Sequence, residues 1–245
     1  MDKLAYLVMS GAKETMLAQA NVANNLANAK TTGFRADLNR LRSMPVEGSG
    51  FNSRVFALSE KPGYRFSEGP QVTTDNPLDI AIQGEGWFVV QTPDGKEAYT
   101  RNGNLNISGS GMLENSSGDI LIGDGGPIIF PPVETVLIGV DGTISARPLG
   151  APANAIQIIG RLKLVKPEAS NLMKSADGNF VTKDGLPAEI DADIQVASGV
   201  LEGSNVNAVE ELTRLIELSR RFEVQIKMLS DAADNDQALD QLMRV

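Results

Sequence analysis

Apolar residues recur at helical spacing in two stretches, one at each end of the chain. Leu4, Val8, Gly11, Thr15, Ala18, Val22, Leu26 and Ala29 follow one another at steps of four and three. They stay within about 40° of one line on a helical wheel, which predicts a helix with a single seam. The seam is built of small and branched residues, so a partner helix could approach it closely. Beside it, Asn21, Asn24, Asn25 and Asn28 make a carboxamide stripe at i, i+3, i+4 and i+7. Asn costs roughly 0.6 kcal/mol in a helix relative to Ala. Two explanations stand open: a solvated face, or carboxamides that bond across helix interfaces and fix register. Thr31-Thr32-Gly33-Phe34 ends the helix, with Gly33 able to take the left-handed conformation.

At the other end, Asn207 followed by Glu210 predicts an N-cap and its capping-box partner. Leu215, Leu218, Phe222, Ile226, Leu229 and Ala233 then fall on one side at steps of three and four, and Val209, Leu212 and Ile216 form a second apolar seam. Glu210–Arg214, Glu217–Arg221 and Glu223–Lys227 are spaced for i,i+4 ion pairs. A helix with two apolar seams has more than one surface to bury against.

The middle of the chain has a different period. Residues 35–74 show no sustained repeat and are punctuated by Gly48, Gly50, Pro62, Gly63, Gly69 and Pro70, which predicts an extended connector with short strands. From Asp75 onward, short alternating runs such as Leu78-Asp79-Ile80-Ala81-Ile82 are broken by Asp-Gly or Asn-Gly at 94, 102, 124, 141, 177 and 184. Those dipeptides between alternating segments are strong hairpin signals. The expected fold is α+β: terminal helices that pair into a coiled-coil-like helical domain, with a central antiparallel β domain of hairpins. The expected segments are 1–34 (N-terminal helical), 35–74 (connector), 75–200 (β domain) and 201–245 (C-terminal helical, pairing with 1–34).

Composition narrows the chemistry. Of 245 residues none is His and none is Cys. The commonest general base, the commonest zinc ligand and the thiol nucleophile are therefore missing. A formal net charge of −9 disfavours nucleic acid and anionic membrane as partners. Leu4–Met9 is too short for the apolar core of a signal peptide, and Asp2 spoils a basic leader. The expected location is cytoplasmic, or a site reached without a cleaved signal.

Three groups of residues then carry a family resemblance. Ala23-Asn24-Asn25-Leu26-Ala27-Asn28 with Thr32-Gly33-Phe34-Arg35 is similar to the N-terminal signature of bacterial flagellar rod and hook (axial) proteins. Asn76–Ile82 through Gly86-Trp87-Phe88, with Tyr99-Thr100-Arg101-Asn102-Gly103-Asn104, resembles their central signature. Leu201–Asn207 through Arg221-Phe222-Glu223 resembles the C-terminal one. Lys30 departs from the pattern, since many relatives carry Asn or Ser there. Stretches 41–48, 160–166 and 198–206 look most like the proximal-rod type, with a distal-rod or hook-type subunit as the alternative.

The resemblance implies a non-enzymatic subunit of the basal-body rod, the drive shaft across the periplasm, exported by the flagellar type III apparatus. It implies helices from both termini in the inner tube, with the β domain outside. It further implies partners among other rod subunits (FlgB, FlgC and FlgG types) and copies of itself, with no cofactor, nucleic acid or membrane insertion. On this basis Leu4, Val8, Val22, Asn24, Asn25, Leu26, Asn28, Leu215, Leu218, Phe222, Ile226 and Leu229 are the expected assembly residues.

An enzyme is the competing class. Asp75, Asp79 and Glu85 near Trp87 could act as a glycosidase-like carboxylate pair with an aromatic platform. Against this, Asp75-Asn76-Pro77 also fits turn chemistry and Trp87 a core position. Gly123-Asp124-Gly125-Gly126 lacks the helix start and Lys of a phosphate loop. Glu189, Asp191 and Asp193 alternate as cation ligands or as a solvated strand face would.

Overall fold

The structure is a computed structural model that describes residues 2–45, 55–59, 63–92, 94–152 and 154–243. The expected turn residues Gly48, Gly50 and Pro62 lie outside the described residues. Two helices, α1 (Asp2–Ala27) and α2 (Ala208–Met243), flank a long series of short strands, so the fold is α+β. The chain divides into two compact units. One holds residues 1–29, 35–65 and 206–245; the other holds 30–34 and 66–205.

In the helical unit α1 and α2 run side by side. Gln19 Nε2 donates to Ser219 Oγ at 3.5 Å, and a Cβ on Gly11 would sit 3.1 Å from Gln225 Nε2. Rising numbers on one helix meet falling numbers on the other, so the two are antiparallel. Asn207 caps α2 as its sequence predicts, Oδ1 accepting from the N–H groups of Val209 at 3.1 Å and Glu210 at 3.4 Å. Glu210 pairs with Arg214 at 3.6 Å. Residues 35–65, expected as connector, include an antiparallel hairpin of Leu41–Pro45 with Val55–Ser59, held to α1 where Ser10 Oγ donates to the Ala57 carbonyl at 3.2 Å.

The β unit is built from neighbours that are all antiparallel. Its largest sheet runs, in hydrogen-bonded order, Leu172–Lys174, Phe180–Thr182, Glu97–Thr100, Trp87–Gln91, Ile120–Gly123, Leu113–Asn115 and Leu105–Ile107. A second sheet joins Val133–Ile138, Thr143–Pro148 and Gln157–Arg161. Ile80–Gln83 pairs with Gln195–Ser198, and Gln71–Thr73 pairs with Val200–Glu202. Several Asp-Gly steps make the turns the sequence announced, with Gly95, Gly142 and Gly178 all at positive φ. Inward residues of both sheets share one core, including Phe88, Leu113, Leu121, Ile144 and Leu164. Tyr99 is buried as well: burial pushes its phenol above the usual range, while its oxygen accepts the Ala188 N–H at 2.9 Å. Among the described residues, no helix is long and apolar enough to cross a membrane.

Leu121 is wholly buried whereas Ile158, on the edge strand Gln157–Arg161, is 74% exposed. Leu121→Ala should therefore cost the β unit about 2–5 kcal/mol, and Ile158→Ala no more than about 0.5 kcal/mol. Urea denaturation of the two variants checks this contrast. Equal losses would place the core elsewhere.

Candidate assembly surfaces

Most buried positions on the two helices recur every 3.5 residues, with Glu14 buried outside the repeat. On α1, Val8, Thr15, Val22 and Asn25 are buried, with Gly11 and Ala18 half-buried between them. On α2, Glu211 and Ala232 are buried, and Leu215, Leu218, Phe222, Gln225 and Leu229 are half-buried at heptad steps. A 3.5-residue burial period keeps a face turned toward one neighbouring helix over its whole length, whereas a 3.6 period drifts off it. Some expected residues lie beside the intrachain seam rather than on it. Ile226 is 48% exposed because Gln225 holds the buried position, and Ala232 replaces Ala233 in the same way. Leu26 is half-buried where Asn25 is buried. The side chain of Leu4 lies outside the described residues.

The carboxamides divide by role. Asn25 accepts from the Asp37 N–H at 2.8 Å and donates to the Asp37 carbonyl at 2.9 Å, so one side chain mimics a strand neighbour and ties residues 35–38 back onto α1. Asn28 Nδ2 donates to the Asn24 carbonyl at 2.9 Å and lies 3.5 Å from its Oδ1, a bond within one turn. Asn24 itself is exposed.

The three signature groups meet inside the β unit. Arg101 and Glu202, separated by a hundred residues of chain, form an ion pair at 2.9 Å, with side chains 3% and 1% exposed. The other Glu202 oxygen accepts the Gly69 N–H at 2.9 Å. Arg101 also donates to the Gly84 carbonyl at 2.7 Å, and its guanidinium stands 5.6 Å from the Trp87 ring centroid. Trp87 is buried among aromatic rings, 4.9 Å from Phe180 and 6.1 Å from Phe66. The glycines are forced by the same crowding. Gly33 has φ +69, its N–H donates to the Glu202 carbonyl at 2.8 Å, and a Cβ there would overlap the Arg101 backbone. A Cβ on Gly69 would likewise overlap the Gly203 carbonyl.

The carboxylates considered for catalysis are otherwise engaged. Asp79 is buried and accepts from Asn104 Nδ2 at 2.9 Å. Glu85 is exposed and bonded to Lys166 at 2.9 Å, which holds its carboxyl below the usual range; a general acid needs the opposite shift. Asp75 is exposed in a left-handed turn at φ 58. The run Gly123–Gly126 leads into a strand, not a helix. Among the described residues Glu189, Asp191 and Asp193 belong to no cluster able to hold a metal ion.

Comparison with known proteins fits this distribution of signatures. The family described as "Flagellar hook protein FlgE/F/G D1 domain" matches residues 81–146, and "Flagellar basal body rod FlgEFG protein C-terminal" matches 197–242. The chain is 43% identical to the flagellar basal-body rod protein FlgF of Salmonella typhimurium, over 99% of both chains. The chain belongs to the flagellar basal-body rod protein family. FlgF of Escherichia coli is also 43% identical over 99% of both, and the basal-body rod protein FlgG of Buchnera aphidicola (Schizaphis graminum) is 31% identical over 90% of this chain. The residues that resemble the family's signatures thus have structural roles: Asn25 and Gly33 in the N-terminal group, Arg101 in the central one and Glu202 in the C-terminal one.

The buried pair yields a test. Glu202→Leu leaves the Arg101 cation buried without its counter-charge, at a cost of about 3–5 kcal/mol. Arg101→Met with Glu202→Leu should recover much of that loss. Thermal unfolding of the single and double variants reads both, and a double variant as unstable as the single would show that packing rather than charge fixes this junction.

Proposed function

We propose that this chain is a non-enzymatic, proximal-type subunit of the flagellar rod that builds the axial drive shaft across the periplasm through its terminal helices. Its α1 and α2 pair in a coiled-coil-like manner within one subunit, and their remaining faces meet neighbouring subunits. The observation that carries this reading is the 3.5-residue burial seam on each helix together with large apolar residues left exposed beside it, such as Met16 at 57% and Ile216 at 55%. A surface helix that serves only its own domain turns its other side to water with polar residues.

The partners on this reading are further rod subunits, of FlgB, FlgC and FlgG types and copies of this chain, with delivery by the flagellar type III export apparatus. The central β unit faces outward from the shaft and supplies the rigid body. The segment boundaries 1–34, 35–74, 75–200 and 201–245 describe the parts with separate roles in that assembly. The match to FlgF proteins at 43% over 99% of both chains supports the FlgF-like branch.

Phe222 and Ile216 separate folding from assembly. Phe222 lies on the half-buried seam, so Phe222→Asp should disturb the subunit's own helix pair as well as the rod. Ile216→Asp places the charge on the exposed side and should leave the thermal transition of the isolated chain within about 2 °C. In cells carrying Ile216→Asp, isolated basal bodies viewed by electron microscopy should lack completed rods. Normal rods and normal swimming would contradict assembly through this face. A tagged natural chain found away from the rod would contradict the reading as a whole.

A further inference from the structure

Each helix carries a second stripe that the chain itself leaves open. On α1 the residues Tyr6, Met9, Met16, Ala20, Ala23 and Ala27 are all exposed. Together with Lys13 they repeat every 3.5 residues, the spacing that keeps a stripe facing one partner helix. On α2, Val209 is 73% exposed, Leu212 47%, Ile216 55% and Ile226 48%. Glu223 follows the same period, as does Ser219, whose hydroxyl already accepts from Gln19 of the same chain at the edge of the stripe. Each of these stripes contains one charged position, Lys13 on α1 and Glu223 on α2. Both are exposed, and among the described residues Glu223 does not close the expected pair with Lys227.

We propose that the outer stripe of α1 is a docking seam for the outer stripe of α2 from a second copy of this chain, antiparallel, with Lys13 opposite Glu223. The proposal rests on the axial-assembly reading and adds its occupant, direction and register.

Setting the opposite charges together fixes every other pairing. In the antiparallel sense Ala20, Ala23 and Ala27 come opposite Ile216, Leu212 and Val209. Met16 comes opposite Ser219 and Tyr6 opposite Ser230. Large residues on one helix therefore meet small ones on the other along almost the whole seam, as interdigitated helices require. In the parallel sense the same charge pairing puts Ala20 against Ser230 and Ala23 against Ala233, small on small, and leaves Val209 and Leu212 without partners.

Symmetry favours the same answer. Within the chain α1 and α2 are antiparallel, with Gly11 beside Gln225 and Gln19 beside Ser219, nearly the register that places Lys13 opposite Glu223. Copies shifted sideways and pointing the same way thus present the α1 of one to the α2 of the next in the direction required. Because the two surfaces differ, the contact is heterologous and continues from copy to copy. The Lys13–Glu223 pair acts chiefly on specificity, since a shifted register leaves each charge without its counterpart.

The absence of native cysteine makes a direct test available. Full-length Ala20→Cys/Ile216→Cys is expressed in place of the natural chain, basal bodies are isolated, and a mild oxidant is added. A disulfide needs Cα atoms within about 7 Å, so the proposed register gives a ladder of dimers, trimers and longer adducts. An equal mixture of the two single variants gives dimers only. Ala20→Cys/Ile226→Cys, about 15 Å out of register at 1.5 Å per residue, gives monomers. Monomers from the first pair, cross-links within one chain only, or a ladder from the out-of-register pair would each overturn the proposal. Monomers include the case in which a different rod subunit occupies the seam. If the rods assemble and turn while no ladder forms, the register falls and the axial reading stands; if the chain is missing from the rods, both fall. In parallel, Lys13→Glu should reduce the soft-agar swarm diameter several-fold, and Lys13→Glu with Glu223→Lys should restore most of it. A double variant no better than the single would remove the charge pairing.

Discussion

The Glu202 carboxylate is where the β unit is tied together. One of its oxygens meets Arg101 and the other the Gly69 N–H, while its own carbonyl takes the Gly33 N–H. Four segments far apart in sequence are thereby pinned at one point, and each continues into something else. Residues 30–34 follow α1, residues 66–70 follow the hairpin region, Arg101 follows the strand Glu97–Thr100, and Glu202 precedes α2. A buried charge pair is an inefficient source of stability, because desolvation offsets most of the attraction. Its value lies in direction: no apolar contact could require these particular segments to meet in this arrangement. The glycines at 33 and 69 follow from that requirement, since the backbones approach too closely for a Cβ.

The helical unit works under a different constraint. Its seam is thin, and several of its positions are polar: Thr15 is buried and bonds to its own helix at the Gly11 carbonyl, and Glu211 and Asn25 are buried beside apolar neighbours. Such a pair gains less from its own contacts than a Leu-rich seam would. Exposed Met, Ile and Val on the outer sides leave apolar surface that the proposed contacts with other subunits would cover. A rod protein has to exist first as a single chain and later as part of a polymer, and this distribution of apolar area suits both states.

How much of this the sequence displayed depended on the range of the interaction. The terminal helices were legible because their apolar spacing is local, and Asn207 as cap and the turns at Gly142 and Gly178 were legible for the same reason. The details failed where the seam is polar. The seam runs through Gln225 and Asn25, one residue before Ile226 and Leu26, and polar residues at those positions give no apolar signal. The carboxamide stripe was visible, but its use was not, because Asn25 bonds to the Asp37 backbone rather than to a helix. The Arg101–Glu202 pair had no local signal at all; nothing within either segment says that the other exists. The family resemblance marked both residues as parts of signatures without giving the reason, which the geometry supplies.

The central claim is that assembly is carried by the outward faces of the two helices while the β unit stays as it is. Amide hydrogen exchange, measured by mass spectrometry on the free chain and on the same chain in isolated rods, tests it most directly. The account predicts that amides of residues 5–27 and 208–235 become protected by several orders of magnitude in rods, because helix opening then requires a subunit contact to break. Those in the core strands Trp87–Gln91 and Ile120–Gly123 should change little. Unchanged exchange in both helices, with new protection confined to the β unit, would contradict it.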